Sequence, residues 1–90
     1  MGFEWDENKR QKNLQRHGID FESAKEIWQG TVLEVPSHHS DPGEERILAV
    51  GQIEGRFITV VFTFRGNNRR IISARAARQN EKENYQKEVG

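Results

Sequence analysis

The chain of 90 residues contains no cysteine, which excludes disulfide staples and cysteine-based zinc sites. It has no net charge either: 14 Lys and Arg balance 14 Asp and Glu. No apolar run reaches the length of a bilayer span, and the charged opening MGFEWDENKR does not read as a secretory signal. The expected location is therefore the cytoplasm, with no membrane contact. There is no internal repeat, no low-complexity tract, no P-loop, no GxGxxG, no nucleophile elbow and no Cys/His dyad. At 33% hydrophobic residues, one small domain spanning 1–90 has a modest core, and a protein partner would suit it.

One absence is local. Between Arg56 and Asn80 there is no acidic residue, and the segment carries six arginines, at positions 56, 65, 69, 70, 75 and 78. All 14 acidic residues lie elsewhere, so a neutral protein has gathered positive charge onto one stretch. Such a surface fits a polyanion, and RNA is the leading candidate.

Local signals divide the chain. Phe3-Glu4-Trp5 reads as an extended lead-in. Asp6 is placed to cap a helix running from about Glu7 to Arg16, which Gly18 ends. That helix is unusual, because Leu14 is its one strongly apolar residue, while Lys9, Asn13, Arg16 and His17 share a side. Asp20 caps a second helix, roughly Phe21 to Gln29, with Phe21, Ala24, Ile27 and Trp28 turned to the core. Thr31 to Val35 is a strand stopped by Pro36, followed by the loop SHHSDPGE. Strands from Arg46 to Ile53, Phe57 to Phe64 and Arg69 to Ala76 form two antiparallel hairpins, and a polar helix closes the chain from about Ala77 to Glu88. The expected fold is α+β: two N-terminal helices, a four-stranded antiparallel sheet and a C-terminal helix, with the helices on one side.

Strand parity sorts the arginines. With two loop residues at Glu54-Gly55 and three at Gly66-Asn67-Asn68, one face collects Ile47, Ala49, Gly51, Ile58, Val60, Phe62, Phe64, Ile72, Ala74 and Ala76. The other face receives Arg46, Thr59, Thr63, Arg65, Arg69, Ser73 and Arg75. Arg56 and Arg70 fall at turn ends on the core side, and Arg78 begins the last helix nearby. A guanidinium donates two parallel hydrogen bonds to phosphate, so this face suits a phosphodiester; a solvated face paired with carboxylates is the alternative.

Other side chains could move protons. His17 either interacts with the end of its helix or serves as an acid or base. Glu45, entering the sheet beside Arg65, either positions an arginine or acts as a base. His38, His39 and Asp41 are too few and too loosely spaced for a metal site, and read as a polar loop. Tyr85 is expected to anchor the last helix, and Phe57 to be exposed.

Phe3-Glu4-Trp5-Asp6, Lys9, Asn13, His17-Gly18 and Phe21 together resemble the N-terminal signature of BrnT-type toxins. So do Gly43-Glu44-Glu45-Arg46 before a strand and Ile72-Ser73-Ala74-Arg75 with Ala77 before a polar helix. The resemblance implies a RelE-like fold and a ribonuclease toxin of a bacterial type II toxin–antitoxin pair. It also implies cleavage without metal or cofactor, and neutralisation by a BrnA-like ribbon-helix-helix antitoxin in a heterotetramer that reaches promoter DNA through the antitoxin. In such chemistry the 2′-hydroxyl attacks the adjacent phosphate, and cations offset the charge that develops. Arg65 and Arg75 are then the expected phosphate clamp, with Arg46, Arg69, Arg78 and Lys9 as further RNA contacts and Glu45 or His17 moving the proton. A non-catalytic RNA-binding or co-repressor module, or a purely structural docking protein, would use the same face.

Overall fold

Five strands and three helices follow one another in the computed structural model, which describes residues 2–38 and 42–90. They are β1 (Phe3–Trp5), α1 (Glu7–His17), α2 (Phe21–Ala24), β2 (Leu33–Pro36), β3 (Ile47–Ile53), β4 (Arg56–Arg65), β5 (Asn68–Ala76) and α3 (Gln79–Val89). A 3₁₀ segment, Lys25–Gln29, continues α2, so the second predicted helix exists but tightens in its latter half. The sheet order is β1-β5-β4-β3-β2.

The sheet is mixed and five-stranded, which corrects the expected four antiparallel strands. Phe3, Glu4 and Trp5 pair in parallel with Arg69, Arg70 and Ile71. Three residues are too few to display a period of two, and their partner lies at the far end of the sequence. No local signal announces such a pairing.

The second correction concerns register. β3 and β4 pair as parity requires, with Ile47 opposite Phe62 and Gly51 opposite Ile58. The β4–β5 turn, however, has two residues, Gly66 and Asn67, with Gly66 at φ 62°. A bulge then follows: Val61 pairs with Ser73 but Phe62 with Ile71, leaving Ile72 without a partner. The bulge splits the strand's two faces. Ala74 and Ala76 stay on the core side as expected, yet Ile71 replaces Ile72 in the core. Arg69 moves to the core side opposite Phe64, while Arg70 joins Thr63 on the other.

The core side is covered by α1, α2 and the 3₁₀ segment, around Phe21, Ala24, Ile27, Ala49, Ile58, Val60, Phe62, Ile71 and Ala74. α1 is held less by apolar burial than by one polar anchor. The Asn13 amide donates to Ala74 O (2.9 Å) and Ile19 O (3.0 Å) and accepts from Ala74 N (3.1 Å). β1 pairs only with residues 69–71 of β5, so Asn13 takes over as the next hydrogen-bonding partner along that edge. The helix caps are those predicted: Asp6 accepts from the Asn8 and Lys9 amides, Asp20 from Glu22 N, and Gly18 stands at φ 71°.

α3 packs on the opposite face, a third correction. Glu81 reaches Thr59 and Arg75 there, the Tyr85 ring meets Phe57 edge-on at 5.4 Å, and the Tyr85 hydroxyl donates to Thr31 O. Tyr85 is thus the helix anchor, and Phe57 lies beneath Tyr85 and the Lys82 ammonium rather than free in solvent. Among the described residues no helix is long and apolar enough to cross a membrane.

The 3₁₀ segment crosses β3 at Gly51, where an added Cβ would lie 2.7 Å from Ile27 Cβ. Gly51→Ala is expected to destabilise the fold by about 1–3 kcal/mol. Trimming Ile27 to alanine should not restore it, because the clash is with the β-carbon itself. Urea melts of the single and double variants would check both statements.

Candidate active site

On the face that α3 shares, a groove of about 450 Å³ runs between the end of β2, the sheet and the start of α3. Arg46, Arg75 and Arg78 line it together with His38, Ser73 and Asn80. Each cation is brought by a different element. Arg46 precedes β3, Arg75 lies on β5 opposite Thr59, and Arg78 is the N-cap residue of α3. Arg46 Nε donates to Glu44 at 3.1 Å.

Arg75 is the most constrained of the three. Its terminal nitrogens grip the Glu81 carboxylate at 2.7 and 2.9 Å, and the two side chains are only 16% and 10% exposed. Thr59 Oγ1 donates to the same carboxylate at 3.0 Å and the Arg78 backbone amide at 2.8 Å. Burial alone would raise the Glu81 pKa. The hydrogen bonds from Arg75, the Arg78 amide and Thr59, with the nearby charge of Arg75, outweigh burial and lower it to about 2. Glu81 is therefore ionised at neutral pH, and too weak a base for proton abstraction. Its geometry instead fixes Arg75. A guanidinium has five N–H groups, so this grip leaves others to meet a phosphate in the groove.

The remaining predicted residues are distributed around this groove rather than inside it. Glu45 and Arg65 line a second concavity with Thr63, Phe64 and Arg70. Lys9 and His17 line a third, on the α1 side, with Lys12 and Arg16. Ile72 and Ser73 border both this third hollow and the groove, so the bulge forms the saddle between them.

Arg65 and Arg75 share a sheet face, but they line different concavities. Arg75 pairs with Thr59, six residues before Arg65 on β4. At roughly 3.3 Å per residue the separation is about 20 Å. Arg69 lies on the other side of the sheet, away from Arg65 and Arg75. Its guanidinium carbon sits 4.9 Å from the Trp28 ring centroid, among Phe3, Phe62 and Phe64, and its Nη2 lies 3.7 Å from the Glu34 carboxylate. That is an aromatic box closing one end of the core, with the side chain 18% exposed.

Sequence reasoning missed Glu81 as part of the site, and it placed Thr59 and Ser73 on the arginine face without giving either a role. Glu81 carried one available signal: it is the third residue after Arg78, where a carboxylate commonly reaches back to the amide that opens a helix. The loop histidines were read as polar loop. His38 lines the groove, while His39 and Asp41 lie outside the described residues.

Comparison with known proteins agrees with this architecture. Residues 5–81 match the family model described as the ribonuclease toxin, BrnT, of type II toxin–antitoxin systems. The crystal structure of the Brucella abortus ribonuclease toxin BrnT superposes with a TM-score of 0.70 at 31% sequence identity, covering 88% of this chain and 99% of that one. No curated protein matches. With a family match over most of its length and a solved relative of the same fold, this chain belongs to the BrnT family of ribonuclease toxins of type II toxin–antitoxin systems.

Proposed function

We propose that the protein is a metal-independent endoribonuclease that cleaves RNA in the groove lined by Arg46, Arg75 and Arg78. One observation carries the reading: three arginines from separate parts of the chain line a single concavity, in a chain of a ribonuclease family. The 2′-hydroxyl oxygen attacks the neighbouring phosphorus. The 5′-oxygen leaves, taking up a proton, and a 2′,3′-cyclic phosphate remains. The chain's part is to neutralise charge on the phosphorane through preorganised N–H donors. Arg75 suits this role because Glu81, itself fixed by the Thr59 hydroxyl, holds it before substrate arrives. Glu81 is a positioning residue in this scheme.

Among the described residues His38 is the histidine that lines the groove, and imidazole can accept and return a proton. Glu45 and His17 stand beyond the groove's ends, within reach only of a strand that runs out of it. The protein partner in this reading is a BrnA-like ribbon-helix-helix antitoxin, joined in a heterotetramer that contacts promoter DNA through the antitoxin.

Purified protein should cleave total RNA in excess EDTA and leave 2′,3′-cyclic or 3′-phosphate ends. Salt-dependent RNA binding without cleavage would overturn the enzymatic reading in favour of a non-catalytic RNA-binding or co-repressor module.

A further inference from the structure

The third hollow, about 200 Å³ beside α1, is lined by the cations Lys9, Lys12 and Arg16 and by His17, with no carboxylate among its described lining residues. Lys9, Lys12 and Arg16 follow one another three and four residues apart, so they form a stripe on one side of the helix with about 5–6 Å between neighbours. Asn13 lies on the same side. Its amide holds both Ala74 N and Ala74 O, which fixes the rotation of α1 and sets the stripe along the edge of β5. All three cations are exposed, and among the described residues none of them enters an ion pair. Glu7, the one acid of α1, is taken by Arg10 at 2.6 Å. The helix dipole accounts for Arg16 and His17 in the last turn, but it disfavours a cation in the first turn, where Lys9 stands.

The stripe continues the groove. β1 covers the edge of β5 only from Arg69 to Ile71, and the bulged Ile72 follows without a strand partner. Ile72 and Ser73 border both the groove and the third hollow, so the concavity passes round the sheet edge onto α1. The other way out of the groove has a different charge. The second concavity is lined by Glu44 and Glu45 as well as by Arg65 and Arg70, and Glu4 holds Arg70 at 2.9 Å. A phosphate backbone meets carboxylates on that side and only cations and an imidazole on the α1 side.

We propose that the RNA strand leaves the groove over Ile72 and Ser73, and that Lys9, Lys12 and Arg16 hold backbone phosphates of the flank on one side of the scissile bond. The inference deepens the ribonuclease reading and rests on it. Contacts to phosphate position a strand without reading its bases, so the stripe adds affinity and no sequence preference. It also makes binding one-sided: a substrate gains from extension on one flank and not on the other.

The test compares the double variant Lys12→Gln with Arg16→Gln against the double variant Arg56→Gln with Lys87→Gln. The second pair removes the same charge from exposed positions that line neither the groove nor the third hollow. Binding of non-cleavable 2′-O-methyl decamers of uridine, adenosine or cytidine to the intact protein is read by fluorescence anisotropy over a salt series. The α1 variant should flatten the slope of log affinity against log salt by roughly 1.4, at about 0.7 for each lost phosphate contact, and weaken all three decamers by about tenfold near 0.15 M salt. The control pair should keep the parental slope. Two further decamers carry a single ribonucleotide, placed second from the 5′ end or second from the 3′ end, so that the long flank lies on one side of the cleavage point. In the α1 variant kcat/KM should fall for one of them and hold near the parental value for the other. Thermal melts of each variant establish that it is folded. An unchanged salt slope, a control pair that loses as much, or an equal fall for both single-ribonucleotide decamers would overturn the proposal. So would an α1 variant that binds RNA as the parent does but loses a ribbon-helix-helix antitoxin, since the stripe would then be a protein contact. Failure of the ribonuclease reading looks different: the salt slope flattens as expected while every ribonucleotide-bearing strand stays intact.

Discussion

Arg75→Ala is expected to lower RNA cleavage by roughly 10²–10³-fold, the usual loss when one preorganised donor to a developing oxyanion is removed. The variant should also be less stable, by about 3 kcal/mol, because it strands the Glu81 carboxylate in a site where it is 10% exposed. The two effects can be separated. In the double variant Arg75→Ala with Glu81→Gln, the stranded charge is gone, so the melting temperature should recover while cleavage does not. Arg75→Lys retains a positive charge but not the two-pronged grip on Glu81, and should leave cleavage well below the parent. If the double variant cleaved RNA at the parental rate, Arg75 would have no part in the chemistry.

The same ion pair predicts an acid limb in the stability profile. Glu81 titrates at about 2 in the folded protein against 4.5 ordinarily. A carboxyl whose folded pKa is depressed stabilises the fold fully above its unfolded pKa and progressively less as pH falls toward the folded one. The loss therefore falls between about pH 4.5 and pH 2, on the order of 3 kcal/mol. Denaturant melts across that range should show the slope in the parent and a much shallower one in the double variant.

Asn13→Ala is the second large effect. Its amide satisfies three backbone groups, Ala74 N, Ala74 O and Ile19 O, at a buried site. Alanine would leave them without these partners, at a cost of about 2–4 kcal/mol. For a chain of this size that corresponds to a fall in Tm of roughly 10 °C or more. α1 has little apolar surface in the core to compensate, because Leu14 is exposed. Asn13→Asp discriminates further. Its carboxylate could still accept from Ala74 N but would face the two carbonyl oxygens. Its pKa would therefore rise on folding, and the variant should regain stability as pH is lowered. A variant whose Tm did not respond to pH would mean that α1 is held by other contacts.

These expectations rest on two kinds of information. Local chemistry was legible along the chain. Asp6 and Asp20 as caps, Gly18 as a stop and Glu54-Gly55 as a two-residue turn depend on side-chain oxygens and φ angles within a few residues. The pairing of β3 with β4 followed as well, because one tight turn sets a register and the alternation of apolar residues preserves it. The concentration of arginine in one acid-free segment was likewise a property of the sequence alone.

What the tertiary structure decided was every feature that joins distant residues. β1 is a strand only because β5 offers it an edge. The bulge at Ile72 is a choice between a three-residue turn and a two-residue turn followed by a phase shift, and the sequence permits either. That choice exchanges Ile71 for Ile72 in the core and carries Arg69 into the aromatic box. Parity placed Arg65 and Arg75 on one face correctly, but a face is not a site. Side chains of equal parity can stand 20 Å apart along a strand, by the roughly 3.3 Å rise per residue. The groove that unites Arg46, Arg75 and Arg78, and the Glu81 carboxylate that holds Arg75, exist because α3 folds back over the sheet face opposite α1 and α2. An amino-acid pattern dictates which way each side chain points; only packing dictates which of them meet.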